Sequence, residues 1–338
     1  MNSSTSSSKI FWKKSFFFLL IFLILFLGVE ITSRWILKRF SYGTLQYDQS
    51  LSYFEKKSAQ VELLFCGDSE LYYGIQPDQI QTPYFVHNFA FPAEGIIATY
   101  FKLKAYLETQ QCPRLKFIFL QFQPHTLDRE KRFLLRGHGD FQRFVPLYQI
   151  FSIYGPKETL IQGLYQSYFL KYRSSLNPSS LVGLWKQRNQ PPPEKLLPSG
   201  YGEADGILDP AKVLEEVEQK LSLKIEPDPN LLDYYQKTIK LAKKYHIHVY
   251  LLQIPNYLDI YVRESKKTPQ NQEYQKNRLL NESYSRLKEG LSELSIIRVP
   301  VELFSVNHFR DVAHLNKAGV LCLAEYLTQL FSKTLPEK

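Results

Sequence analysis

Short apolar runs alternate with longer amphipathic stretches along most of the chain. Val61–Cys66 is apolar and stops at Gly67. Tyr84–Phe89, Leu115–Phe122 and His246–Ile254 have the same character, and Ser295–Val301 is a fifth candidate strand. Between them the period changes. Ala93–Thr109 places Ile96, Tyr100, Leu103 and Leu107 on one helical face, and Leu231–Tyr245 and Gln272–Leu294 also read as helices. Asn316 is placed to cap a last helix over about residues 317–331. Strands alternating with helices predict an α/β fold, a mostly parallel sheet covered on both faces.

Two stretches break this rhythm. Residues 128–227 read as a helical and Pro-rich insertion between residues 41–127 and 228–335. It is aromatic over Phe141–Tyr172, then carries Pro191, Pro192, Pro193 and Pro198 with Gly200, Gly202 and Gly206, and closes on a short charged helix over Ala211–Leu223. Connections of this kind lie over the carboxyl edge of an α/β sheet, where ligands bind, although an extra helical pack without a site role fits equally. The aromatics of Phe141–Tyr172 suit core packing better than sugar stacking.

The second break is Phe16–Val29, fourteen unbroken apolar residues. As a helix they rise only about 21 Å, and continuing to Leu37 gives about 33 Å, enough to cross a bilayer. Trp12 and Trp35 mark the two interfaces, and Glu30 and Arg34 can pair four residues apart. No small-x-small cleavage site follows, so an uncleaved membrane anchor over 15–37 is favoured over a removed signal peptide. Residues 1–14 form a short polar tail. Lys9, Lys13 and Lys14 on one side and Arg34, Lys38 and Arg39 on the other bias it only slightly toward the cytoplasm. The expected localisation is a single-pass membrane protein with the bulk of the chain outside the cytoplasm.

Composition sharpens this. The 338 residues carry a net charge of +9, which invites a nucleic-acid reading. Residues 1–40 hold six basic residues against Glu30, so only +4 is spread over the rest, and no phosphate-binding stripe exists. The charge flanks the apolar segment. Three cysteines, Cys66, Cys112 and Cys322, exclude a stapled scaffold and lie in or beside apolar runs as small core residues. His246 and His248 alternate on one strand, but no third ligand has matching spacing, so no metal or cofactor is expected. His308 reads as a loop residue.

Two motifs carry chemistry. Gly67-Asp68-Ser69 follows the first apolar strand, where a serine at a strand-to-helix turn exposes its hydroxyl beside the N–H groups of a helix start. Near the other end, Asp311-Val312-Ala313-His314 precedes the capped helix. An aspartate three residues before a histidine can fold back onto Nδ1–H, leaving Nε2 to accept a serine proton. Each motif alone also fits a plain capped turn. In a parallel sheet, however, both fall at the same edge.

Together they resemble the SGNH (GDSL-type) hydrolase superfamily. The resemblance implies a three-layer, flavodoxin-like α/β fold with Ser69 as nucleophile, His314 as general base and Asp311 as its orienter. It covers the sheet core and not the insertion. Two further family blocks are matched imperfectly. Asn88-Phe89-Ala90 stands where Asn-x-Gly is usual, with Gly95 following, so the backbone N–H of Ala90 becomes the expected oxyanion donor beside Asn88 and the N–H of Ser69. Gln123-Pro124-His125 stands in the third block, where the family's asparagine donor is missing, and Gln123 or His125 is its nearest substitute. The proline after the third strand, the anchor and the insertion are similar to the membrane-anchored DltD-like branch. That likeness implies an esterase or O-acyltransferase acting on an acylated cell-envelope polymer, a polysaccharide or teichoic acid, beside an MBOAT-type membrane acyltransferase. A non-catalytic accessory protein with the same fold, binding such a polymer or partner, is the competing expectation.

Overall fold

The computed structural model describes residues 15–21, 24, 28, 42–128, 144, 195–203, 206–222, 227–265, 269–279, 281–289 and 294–336. Five strands form its central sheet: β1 (Leu63–Cys66), β2 (Val86–Asn88), β3 (Phe117–Gln121), β6 (His248–Gln253) and β7 (Ser295–Arg298). The spatial order is β2-β1-β3-β6-β7, and every pairing is parallel. Numbered within the sheet alone, this is 2-1-3-4-5, the flavodoxin-like order, with its switch point between β1 and β3. A parallel sheet needs both faces covered, and β1 and β3 are buried at every position.

The helices follow from the connections. They are α1 (Tyr42–Lys57), α2 (Ser69–Gly74), α3 (Ile96–Glu108), α4 (Pro210–Ser222), α5 (Pro229–Lys244), α6 (Tyr257–Glu264), α7 (Pro269–Leu279), α8 (Asn281–Lys288) and α9 (Lys317–Thr334). Register places Phe65, Phe119 and Tyr250 in one cross-strand row. Phe331 of α9 packs on it, 4.9 Å from the Phe119 ring centre. Period two turns Leu64 and Ile118 to the opposite face, where they are fully buried. Tyr100 and Phe101 of α3 meet Tyr234 of α5, which joins those two helices.

Element ends differ from expectation for local reasons. Ala93 takes a left-handed φ of 59°, so α3 starts after Gly95 and not at Ala93. His246 has φ 58° and closes α5: its N–H donates to Lys243 O, and that of Ile247 to Ala242 O. It therefore does not share a strand face with His248, and the paired-histidine pattern dissolves. Cys66 and Cys112 are buried and Cys322 half-buried, all three as free thiols.

The chain leaves and re-enters the sheet core at a bridge between Asp128 and Pro227. Most of the residues between them lie outside the described ones, including Phe141–Tyr172 apart from Phe144. The described part holds α4 and a hairpin that composition did not suggest, β4 (Lys195–Leu196) with β5 (Gly202–Glu203). That hairpin presses on the first half of the sheet. Ser199 O accepts from Asn88 N–H at 2.9 Å, and Ser199 Oγ donates to Asp78. Gly200, at φ 90°, lies where any Cβ would collide with Asn88 O.

The expected anchor over 15–37 lies mostly outside the described residues. Residues 15–21 are helical, and Phe16, Phe17, Phe18 and Leu19 are exposed. Among the described residues no helix is long and apolar enough to cross a membrane.

His87 on β2 is fully buried, and neither ring nitrogen has a partner among the described residues. Burial, then Lys57 and Lys102, push its pKa down to about 3. The unfolded chain takes up this proton near pH 6.5 and the folded chain does not, so stability is lost as pH falls from about 6.5 toward 3. His87→Leu is expected to remove about 2–3 kcal/mol of the stability lost between pH 7 and pH 4.5, read as paired urea unfolding curves at the two pH values. Equal losses in variant and wild type would show that His87 titrates normally.

Candidate active site

The buried run of β1 ends at Cys66, and the next three residues are held by β3. Gly67 is required there, because a Cβ would collide with the Gln121 side chain. Asp68 caps α2, accepting from Glu70 N–H at 2.9 Å. Gln121, at the end of β3, clamps the turn from the other side. Its Oε1 accepts from Asp68 N–H at 2.7 Å, and its Nε2 donates to Asp68 Oδ1 at 2.9 Å and Glu70 Oε2 at 3.2 Å. Ser69 is thereby fixed as the first residue of α2, at the switch point of the sheet.

The far end of α2 is held by Asn88. Its Nδ2 donates to Leu71 O and Ile75 O, both at 2.8 Å, and to Tyr72 O at 3.3 Å. Carbonyls orphaned at a helix end are satisfied in this way.

From the other side of the chain, the turn before α9 brings the second motif. Asp311 Oδ1 accepts from the N–H groups of Ala313 and His314, both at 2.9 Å. Arg310 N–H donates to His314 O, and Asn316 caps α9 through Ala318 and Gly319 N–H. The turn presents the imidazole with Nδ1 at 2.9 Å from Asp311 and Nε2 at 2.9 Å from Ser69 Oγ. Burial opposes the charge on Asp311, but the bonds from the His314 ring and the two N–H groups hold its carboxyl far below the ordinary range. The ionised carboxylate places the proton on Nδ1 and leaves the Nε2 lone pair facing the Ser69 hydroxyl. Ser69, His314 and Asp311, 242 positions apart from Ser69 to Asp311 in sequence, thus form one hydrogen-bonded chain.

The three other expected donors are not brought to that chain. Asn88 spends its amide on α2, and its Oδ1 accepts from Ala90 N–H at 3.1 Å. Ala90 is fully buried and its N–H is therefore already used. Gln123 is buried and donates to Ile254 O at 2.7 Å, which ties β3 to β6. Among the described residues the backbone N–H groups of Ser69 and Gly95 donate to no protein acceptor. Gly95 caps α3 and borders a small cavity shared with Gly67, Asp68 and Gln121.

A second imidazole–carboxylate contact was not foreseen as such. His125 Nε2 lies 2.9 Å from Asp68 Oδ2, and its Nδ1 lies 3.8 Å from Glu70 Oε1. These three residues offer metal-ligand atoms within 4.8 Å of one another, but they and Gln121 are already joined by hydrogen bonds. Burial alone would raise the Asp68 carboxyl; the His125 charge and the bonds from His125, Glu70 N–H and Gln121 hold it at about 2. Tyr73 and Arg310 also border the site. The Tyr73 ring meets His314 edge-on at 5.1 Å, and the Arg310 guanidinium lies 4.2 Å above that ring. No sequence signal marked either residue, since both are defined by what they touch.

No family model matches the chain, and no curated protein matches it. A solved structure described as "a putative platelet activating factor from Streptococcus pneumonia" is similar to it at 14% identity and a TM-score of 0.39. The likeness covers 90% of this chain and 98% of that one. A likeness of this size bears on neither the chemistry nor the partners of this chain.

Proposed function

We propose that this chain is a serine esterase or O-acyltransferase of SGNH type, anchored to the membrane through residues 15–37 and acting on an acylated cell-envelope polymer. The observation that carries the chemistry is the 2.9 Å contact between His314 Nε2 and Ser69 Oγ, with Asp311 behind the imidazole. Residues 41–127 and 228–335 make up the catalytic α/β domain in this reading, and residues 128–227 an insertion beside its site. The exposed apolar helix at 15–21 supports the anchor. The DltD-like branch, the polysaccharide or teichoic-acid substrate and a neighbouring MBOAT-type acyltransferase rest on the sequence resemblance.

The reaction proceeds in two steps. Ser69 Oγ attacks an ester carbonyl carbon as its proton passes to His314 Nε2, and the carbonyl π electrons move to oxygen. The N–H of Ser69, at the first turn of α2, is the donor this reading assigns to the oxyanion in place of Ala90. Collapse expels the alcohol, which takes the proton from Nε2 and leaves an acyl-Ser69 ester. Water or a second hydroxyl then attacks that ester, giving its proton to Nε2, which returns it to Oγ. Water yields a carboxylic acid and a hydroxyl yields a new ester.

The accessory-protein reading keeps one supporting observation, the internal commitment of Asn88, Ala90 and Gln123. A fluorophosphonate probe applied to membranes bearing the full chain separates the two. The wild type is expected to be labelled in the sedimenting membrane fraction, and Ser69→Ala and His314→Ala to be unlabelled. A folded wild type that resists the probe would leave the accessory reading standing, and label in the soluble fraction would sink the anchor.

A further inference from the structure

Beside the triad stands a cation that the chemistry above leaves unused. Arg310 directly precedes Asp311, and its Nε donates to Asp311 Oδ2 at 3.2 Å. Its guanidinium stacks on Tyr73, the ring that touches His314. The group is thus held at two points, by the ring beneath its central carbon and by the bond from Nε. Nη1 and Nη2 donate to no acceptor among the described residues, while 16% of the side chain is exposed. Asp311 is also held without this arginine, because the His314 ring nitrogen lies 2.9 Å from both its oxygens and two backbone N–H groups donate to Oδ1. What remains is an open fork of two nitrogens, pre-organised and partly desolvated, next to the nucleophile's base. Such a fork matches two oxygens of a carboxylate or phosphate.

The geometry points to Arg310 as the recognition residue for an anionic group, a carboxylate or phosphate, carried by the ester substrate close to its scissile bond. That the ligand is an ester rests on the reading of Ser69 as nucleophile; the anion preference itself does not. The anion can belong to the acyl part or to the alcohol part of the ester, and paired ligands distinguish them. On the acyl side the 4-nitrophenyl monoester of succinic acid is compared with 4-nitrophenyl pentanoate. On the alcohol side 3-acetoxybenzoate is compared with 3-methylphenyl acetate.

Binding is measured by calorimetry to the full chain carrying Ser69→Ala, so that no turnover intervenes. In at least one pair the anion is expected to bind about tenfold or more tightly than its neutral partner. Adding Arg310→Gln should bring the two within about twofold. Arg310→Lys should fall between, because it keeps the charge and loses the fork, and it guards against a folding defect in the glutamine variant. Equal binding within both pairs, or a preference that survives Arg310→Gln, overturns the proposal. Wild-type turnover of the neutral esters is read separately. Turnover without anion preference removes the Arg310 site and keeps the Ser69 chemistry. Arg310-dependent binding without turnover does the reverse.

Discussion

Replacing His314 by alanine is expected to lower kcat for a 4-nitrophenyl ester by about 10⁴- to 10⁶-fold. The size follows from the geometry. Nε2 is the acceptor within 2.9 Å of the Ser69 hydroxyl, so without it Oγ must attack while still carrying its proton. Ser69→Ala should cost as much, and the double variant no more than either single, because groups that act as one unit are not additive. Asp311→Asn is more informative. The amide offers an N–H where the carboxylate offered a lone pair, so the imidazole turns its proton to Nε2 and its lone pair to Nδ1. A loss of about 10⁴-fold with a near-native structure is the expected result. The same exchange weakens the bonds from Ala313 and His314 N–H, so a modest fall in Tm should accompany it. Burst and steady-state rates on the four variants and the wild type, with circular dichroism as control, decide the matter. Additive losses, or a fully active Asp311→Asn, would show that the three residues do not act together.

The parts of this site that were legible in the sequence are those whose chemistry and spacing are local. Asp311 and His314 are three residues apart, and a turn of that length can join them only in a few ways. Ser69 follows a short apolar strand, and the alternation of strands and helices is enough to put the two motifs at one edge of a parallel sheet. Roles set by a partner distant in the sequence were not legible in this way. Asn88 has the residue type that the resemblance called for, yet its amide is consumed by the end of α2, where it donates to Leu71 O, already bonded by Ile75 N–H, and to Tyr72 O and Ile75 O. Ala90 follows from this, since its N–H is taken by the same asparagine. Gln121 looked like an ordinary strand residue, and its role depends on β3 lying beside β1 with Gly67 leaving room for it. The hairpin at 195–203 was hidden for a similar reason. Its strands are two residues each, too short for any period to show.

The loop that leads from β2 into α3 rests on a buried ion pair, and breaking it is expected to be the largest stability effect in the molecule. Lys102 Nζ lies 2.6 Å from Glu94 Oε2, both side chains almost fully buried. The ammonium also donates to Phe89 O at 2.8 Å and sits over the Phe89 ring, while Thr99 Oγ donates to Glu94 Oε1. Lys102→Met keeps the length of the stem and removes the charge, leaving Glu94 Oε2 and Phe89 O without their donor and the carboxylate without its counter-charge. Unpaired buried charges of this kind cost about 3–5 kcal/mol. Glu94 has a way out, since burial already raises its pKa against the pull of Lys102, and without Lys102 the carboxyl rises further. A folded-state pKa above the unfolded one means that the folded chain holds the extra proton. The variant's deficit should therefore be smallest near pH 4 and grow as pH rises. Glu94→Gln removes the charge but can keep an acceptor for Thr99, so the double variant Glu94→Gln, Lys102→Met should be more stable than Lys102→Met alone. Urea unfolding of the four members of this cycle at pH 4.5 and pH 7.5 reads each of these steps. A cost for Lys102→Met that does not depend on pH would show that the lysine matters for its packing and not for the charge it neutralises.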